Sequence, residues 1–130
     1  MQKKICHQKN EILEYIKDFL WDKKCIKELG GAIIYDNQKA IIYYDNNKTI
    51  SFILFRYNDE GECDIDYVYV IPENRRNGIF SNMFYFLIQN FSIVTIKCFA
   101  NNFSVPFFKK HGFEVEKSYK NWPKMRRCYE

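Results

Sequence analysis

Residues 70–81 constrain the fold of this chain more than any other segment does. Residues 67–71 are β-branched or aromatic and predict a strand, which Pro72 ends because proline has no N–H to offer a neighbouring strand. After the loop, apolar residues recur at the spacing of a helix: Ile79, Phe80, Met83, Phe84 and Leu87. The segment therefore predicts a strand that passes through a short basic loop into a helix.

The loop has the properties of an anion-binding site. Gly78 gives the backbone the freedom that a tight turn into a helix needs. The first N–H groups of the helix have no intrahelical partner, and they carry the positive end of the helix dipole. We therefore expect the N–H groups of residues 77–81, together with Arg75 and Arg76, to bind phosphate groups.

The order of residues in this loop resembles the acyl-CoA pyrophosphate loop of the GNAT superfamily of N-acetyltransferases. That family has the pattern Gln/Arg-x-x-Gly-x-Gly/Ala after a strand that ends in Val-x-Pro, and Arg75 and Gly78 match it. Phe80 stands where the family usually has Gly or Ala, which implies a tighter or altered fit to the pyrophosphate. The resemblance implies these acyl-CoA-binding residues: Val70, Arg75, Arg76, Asn77, Gly78, Ile79, Phe80 and Ser81.

A second block, residues 101–113, resembles another hallmark of the family, Asn-x-x-Ala-x-x-Leu-Tyr-x-x-x-Gly-Phe. Asn101 aligns with the asparagine that holds the pantetheine arm, and Phe108 aligns with the tyrosine, so both join the implied cofactor site. From the residues alone, the block predicts a short helix with Ser104 as N-cap, Pro106 in the first turn and Gly112 at its end.

The rest of the chain predicts an α/β (α+β) fold. A first strand is expected at residues 3–6, and Asn10 is expected to cap a helix that runs to Leu20 and continues to Leu29. Further strands are expected at residues 32–35, 40–44, 49–57, 63–71, 93–99, 113–119 and 125–129. The resemblance implies a GNAT-like mixed, mostly antiparallel central sheet flanked by helices, with splayed central strands.

Composition agrees with one domain over residues 1–130. The five cysteines are scattered without a C-x-x-C pair, which argues against a disulfide framework and a zinc cluster, and with only two histidines we expect no metal site. No apolar run reaches the length of a membrane span, and no apolar segment follows the basic first residues. We expect a cytoplasmic protein that makes no membrane contact.

Residues 59–73 contain six acids and no Lys or Arg. By the two-residue period of a strand, Asp64 and Asp66 share a face with Val68 and Val70, so both are candidate general bases above an acceptor cleft. The resemblance adds that Asp64 falls roughly where many family members carry a glutamate base. An acidic cleft suits a cationic amine acceptor, although a solvated acidic strand face is an equal alternative.

The resemblance implies an N-acetyltransferase in which an amine, on a small molecule or a protein, directly attacks acetyl-CoA. The backbone N–H of Val70 is then a candidate to stabilise the oxyanion. The alternative is a non-catalytic acyl-CoA-binding or regulatory module, because Phe108 has no hydroxyl with which to protonate the leaving thiolate. A thiolate of pKa ~8.5 leaves tolerably without such help.

The final 22 residues hold seven basic and three acidic side chains, and the whole chain has a net charge of +4. This region suits the phosphates of CoA, or an acidic partner such as a nucleic acid, or it is simply a solvated basic tail. The sequence leaves these alternatives open, and it is compatible with a monomer or a homodimer.

Overall fold

The computed structural model describes residues 1–100, 104–117 and 123–128. Within them, strands form one sheet in the order β1-β2-β3-β4-β5-β7-β6. The strands are β1 (Gln2–Cys6), β2 (Lys39–Asp45), β3 (Lys48–Tyr57), β4 (Glu62–Val70), β5 (Thr95–Phe99), β6 (Glu114–Lys117) and β7 (Lys124–Cys128). Only β4 and β5 pair in parallel; every other described pair is antiparallel. The predicted mixed, mostly antiparallel sheet is confirmed.

The helices of the described residues are α1 (Lys9–Ile16), α2 (Lys23–Leu29), α3 (Ile79–Asn90) and α4 (Val105–Lys110). The prediction that Asn10 caps the first helix is wrong. Gln8 holds the N-cap position and its carbonyl accepts the N–H of Ile12 at 3.0 Å, so Asn10 already lies within the first turn. The closing strands β6 and β7 agree with the prediction, while their expected extensions to Tyr119 and Tyr129 lie outside the described residues.

The helical stretch before Gly30 is interrupted. A 3₁₀ turn (Lys17–Leu20) separates α1 from α2. The carboxylate of Asp22 accepts the N–H of Cys25 at 2.9 Å, which caps a new helix. Gly30, with φ 74°, then ends α2.

The strand expected at residues 32–35 does not form, and these residues belong to the loop between α2 and β2. The edge of β2 that this segment would need is already paired with β1. Instead, the N–H of Ile33 donates to the Tyr67 hydroxyl at 3.2 Å, and Ile33 is 64% exposed. A short apolar run without a free sheet edge remains a loop.

Both faces of the sheet are covered, which explains why the central strands are nearly unbroken apolar runs. On one face, Ile41 and Phe55 pack with Phe84 and Leu87 of α3. The opposite face packs residues of β2 and β3 against α1 and α2, and its buried members include Ile12, Ile16, Cys25, Ile42, Phe52 and Leu54.

The two parallel strands separate before they end. Their register runs from Glu62 opposite Thr95 to Ile65 opposite Cys98. Beyond that pair, β4 continues to Val70 while β5 ends at Phe99. The gap opens at the end of β4 from which the chain passes into the basic loop and α3.

Candidate functional site

Two residues with a left-handed backbone shape the loop between β4 and α3. Arg76 has φ 67°, and Gly78, at the N-cap position of α3, has φ 72°. The N–H of Asn82 donates to the carbonyl of Gly78 at 3.0 Å. The N–H groups of residues 79–81 therefore precede the first intrahelical bond and are available to a ligand, as an anion site requires.

A cavity of about 670 Å³ lies between this loop, the diverging ends of β4 and β5, and α4. Its volume is typical of a small-molecule site. It is lined by most of the predicted cofactor residues: Val70, Arg75, Arg76, Gly78, Ile79, Phe80, Ser81 and Phe108. Asn77 does not line it, and Asn101 lies outside the described residues.

One wall of the cavity is the open edge of β4. The N–H of Ile71 donates to the carbonyl of Ile50 in β3 at 3.0 Å. Because backbone groups of successive strand residues point to opposite sides, those of Val70 and Val68 point away from β3. Both valines line the cavity, and β5 pairs with β4 only as far as Ile65. An extended ligand can therefore bond to this edge as an added strand.

The two arginines of the loop have different environments. The guanidinium of Arg75 donates to the carbonyl of Val70 at 2.8 Å and to the carboxylate of Glu28 at 2.5 Å, and it lies over the ring of Tyr69. Arg76 is exposed, and no ion pair of this side chain is present among the described residues. Arg76 is thus the cation of the loop that a ligand reaches without displacing a protein group.

Aromatic rings form the wall opposite the β4 edge. Phe80 stacks on Phe107, with ring centres 4.1 Å apart and planes 16° from parallel, and it meets Phe108 edge-on. His111 packs behind Phe107, with ring centres 4.4 Å apart. Its burial lowers the pKa of the imidazole from the ordinary value, and Lys110 and Arg127 add to the effect. The large side chain of Phe80 is therefore part of an apolar wall of the cavity.

A β-bulge in β4 changes which side chains reach the cavity. Tyr67 faces Leu54 and Ile65 faces Phe55, so Asp66 is an extra residue without a partner in β3. Past the bulge, Val68 packs on the α3 face, as Ile65 does, whereas Tyr67 packs on the α1 face. The prediction that both acids share a face with Val68 and Val70 is wrong, because the bulge shifts the alternation by one residue.

The two candidate bases occupy different places. Asp66 lines the cavity, and its carboxylate is ion-paired with Arg56, with 2.7 Å between the nearest atoms. That hydrogen bond raises the pKa of the Arg56 guanidinium. Asp64 is exposed and does not line the cavity. Asp66 is therefore the predicted acid that the fold brings beside the predicted cofactor residues.

Cys98 lies in the cavity wall near the point where β4 and β5 separate. Burial raises the pKa of its thiol to about 12, so the thiol is protonated at neutral pH. A protonated thiol is a poor nucleophile. The side chain acts here as a small apolar group.

Several residues around the site were not anticipated from the sequence. Glu28 and Leu29 of α2 line the cavity, as does Phe107 of α4. Gln38 and Arg56 contact Asp66 from the loop before β2 and from β3. Phe107 lies within the second recognised block, although it was not assigned to the site. The other four residues are far from both blocks in sequence, and no local pattern marks them.

Two kinds of feature are not found in the described part of the chain. No group of three or more His, Cys, Asp or Glu side chains there is placed to hold a metal ion. None of the described helices has the length and apolar character needed to cross a membrane.

Comparisons with known proteins agree on one family. A family model described as an acetyltransferase (GNAT) domain matches residues 7–122. The chain is similar in structure to Tetrahymena GCN5, with 20% identity, a TM-score of 0.68, and 100% of this chain and 97% of that chain covered. It is also similar to the PaiA N-acetyltransferase of Thermoplasma acidophilum in complex with coenzyme A, with 14% identity, a TM-score of 0.71, and coverage of 99% and 100%.

An acyl-CoA N-acyltransferase from Pseudomonas aeruginosa gives a TM-score of 0.70 at 14% identity, with 98% of this chain and 99% of that chain covered. Curated protein sequences give no significant match. Likeness at such low identity shows the fold, while the family model spans most of the sequence. The chain belongs to the GNAT family of acetyltransferases.

Proposed function

We propose that this protein transfers an acetyl group from acetyl-CoA to an amine by direct attack. The observation that carries the proposal is one cavity in which an anion-binding helix N-terminus and the open edge of β4 face the same space. The helix N-terminus suits phosphate groups, and the open strand edge suits the amide groups of pantetheine. The complex of the similar PaiA enzyme with coenzyme A supports this choice of ligand.

We propose partners among the residues of this chain for the pyrophosphate and for the pantetheine arm of acetyl-CoA. The N–H groups of residues 79–81 and the guanidinium of Arg76 suit the pyrophosphate. The backbone groups of Val68 and the N–H of Val70 suit the amides of the pantetheine arm, and we propose that Asn101 adds a side-chain amide to them. This arrangement lays the pantetheine arm along the open edge of β4, in the cavity between β4 and α4.

The reaction joins the amine nitrogen to the carbonyl carbon of the thioester and breaks its C–S bond. We propose that a backbone N–H on the open edge of β4 donates to the developing oxyanion, either that of Val70 or that of Val68, whichever the pantetheine amides leave free. CoA leaves as the thiolate. An alkyl amine of pKa near ~10.4 is mostly protonated at neutral pH, so its excess proton must first pass to a base. After the attack, the nitrogen loses a second proton, which water carries to the leaving thiolate, so that CoA is released as the thiol. Positioning supplies much of the remaining rate.

We propose Asp66 or Asp64 as that base, and the position of Asp66 in the cavity wall favours Asp66. Converting the true base to asparagine should lower kcat by ~100-fold or more, while acetyl-CoA binding stays nearly intact. The other substitution should be almost silent and serves as the matched control. Equal, small effects of Asp66→Asn and Asp64→Asn would exclude both carboxylates.

The alternative is an acyl-CoA-binding module without catalysis. It is favoured by Phe108, which is buried beside Phe113 with ring centres 5.0 Å apart and has no proton to give to the thiolate. Phe108→Tyr should raise turnover if the enzyme lacks a general acid. A protein that binds CoA, transfers to no acceptor and gains nothing from this change would support the binding module.

The experiment that tests the main proposal is incubation with acetyl-CoA and a panel of primary amines, with release of free thiol as the measurement. We expect thiol release that depends on the amine and a product that is heavier by one acetyl group. Release that is the same with and without every amine in the panel contradicts acetyl transfer.

A further inference from the structure

A carboxylate on a β-bulge has no directly opposite residue to hold it. Asp66 is the extra residue between Ile65 and Tyr67, so no residue of β3 lies directly opposite it. Its side chain is nevertheless only 11% exposed. Contacts from two other parts of the chain hold it there.

The first contact comes from Gln38, which is fully buried just before β2. Its side-chain amide donates to Asp66 Oδ2 at 2.9 Å and to the carbonyl of Phe55, the residue beside the bulge in β3, at 3.0 Å. The side-chain oxygen of Gln38, Oε1, accepts the N–H of Tyr35 at 3.3 Å. Gln38 therefore ties the carboxylate to the backbone of the facing strand.

The second contact comes from Arg56 of β3. Its Nε donates to Asp66 Oδ2 at 3.0 Å and its Nη2 donates to Oδ1 at 2.7 Å, which is a bidentate pair. The guanidinium lies 4.5 Å from the ring centre of Tyr35. The ring and the two bonds together fix the plane of the carboxylate.

The contacts leave one part of the carboxylate open. An ionised carboxylate has about four acceptor positions, two on each oxygen. Among the described residues, Oδ2 accepts two bonds and Oδ1 accepts one. Asp66 lines the cavity, and Oδ1 keeps one acceptor position that these bonds do not use.

We infer that Gln38 and Arg56 are positioning residues for Asp66, and that they present one lone pair of its Oδ1 to the amine in the cavity. The inference rests on the proposed function, in which Asp66 takes the amine proton. Neither residue touches a reacting atom. They act by fixing the direction in which the carboxylate accepts.

The test compares Arg56→Met, Arg56→Lys and Gln38→Met with the wild-type protein in the thiol-release assay, with kcat and the KM for acetyl-CoA measured separately. A displaced carboxylate should lower kcat by ~10- to 100-fold, because small errors in position are costly in catalysis. The KM for acetyl-CoA should stay unchanged. Arg56→Lys should restore part of kcat, and added guanidinium ion should raise kcat in Arg56→Met.

Arg126→Met is the matched control, because Arg126 is an exposed arginine of β7 outside the cavity wall. It should leave both constants unchanged. Gln38 is fully buried, so Gln38→Met can fail to fold. In that case the Arg56 variants provide the test, because 35% of the Arg56 side chain is exposed. The melting temperature of each variant separates loss of fold from loss of position.

If Arg56→Met does not change kcat per folded molecule, the inference is overturned and the ion pair between Arg56 and Asp66 is purely structural. The same holds if the variant loses kcat but neither lysine nor guanidinium restores any of it. Absence of transfer by the wild-type protein overturns the proposed function, and this inference with it.

Discussion

Single residues of the loop determine how it can bind an anion. Arg75 and Arg76 are adjacent and chemically identical, yet Arg75 is bonded to Glu28 and Val70, while no ion pair of Arg76 is present among the described residues. The left-handed backbone of Arg76, with φ 67°, separates the directions of the two side chains. A sequence pattern that counts both as phosphate ligands cannot make this distinction.

Gly78 carries the first prediction. With φ 72°, any other residue here is strained, although an added Cβ would meet no atom within 4 Å. Gly78→Val should lower the free energy of unfolding by ~1–2 kcal/mol. It should also weaken acetyl-CoA binding by ~10-fold or more, because a hydrogen bond to a charged group contributes ~1.5–3 kcal/mol. Urea denaturation and a binding titration measure the two effects.

Gly31→Val is the matched control for backbone strain. Gly31 has φ 88°, and an added Cβ there would likewise meet no atom within 4 Å, but this glycine lies outside the cavity wall. We expect a similar loss of stability with unchanged binding. If the Gly78 variant binds acetyl-CoA as well as the Gly31 variant does, the loop is not the phosphate site.

At the scale of elements, α2 contributes residues to the cavity wall, although no sequence pattern in α2 predicts that contribution. Its last turn places Glu28 and Leu29 in the cavity wall. In the proposed complex, the Glu28 carboxylate and the phosphates of CoA are two anions close to the Arg75 guanidinium. They therefore compete for one cation.

Glu28→Gln should accordingly tighten CoA binding by about two- to fivefold, as expected when a competing, half-exposed ion pair worth ~0.5–1 kcal/mol is lost. Isothermal titration at low salt measures the change, and added salt should shrink it. Glu14→Gln, with the same charge change on α1 away from this cavity, should have no effect. Weaker binding by Glu28→Gln would show instead that Glu28 holds Arg75 in place for the cofactor.

At the scale of the whole molecule, the cavity is an interruption in the sheet. The cavity wall combines β4, the loop and α3, which follow one another in the chain, with residues of α2, β5 and α4 from before and after them. A ligand that binds only this assembled state stabilises the whole fold by mass action. Binding should therefore be visible as a change in global stability.

CoA at 100 times its dissociation constant should add ~2.7 kcal/mol to the free energy of unfolding. That should raise the melting temperature by several degrees, measured by calorimetry. Pantetheine, which lacks the pyrophosphate, should give a much smaller rise at the same concentration. An unchanged melting temperature in millimolar CoA, or equal rises from the two ligands, would count against the phosphate site.

The sequence alone determined the strand, loop and helix around Gly78, because Pro72, Gly78 and the apolar spacing of α3 act within a few residues of one another. Through the resemblance, it also indicated the mixed sheet and eight of the residues that line the cavity. Local propensity and the periodicity of helices and strands can be recognised from the amino-acid sequence itself.

Only the tertiary structure decided the rest. The bulge at Asp66 depends on register with β3, the loop at residues 32–35 depends on β1 occupying the edge of β2, and the bond of Arg75 to Glu28 depends on how α2 packs. Each of these joins residues that are distant in sequence. Such contacts follow from which surfaces meet when the sheet and helices pack, and no local pattern encodes that choice.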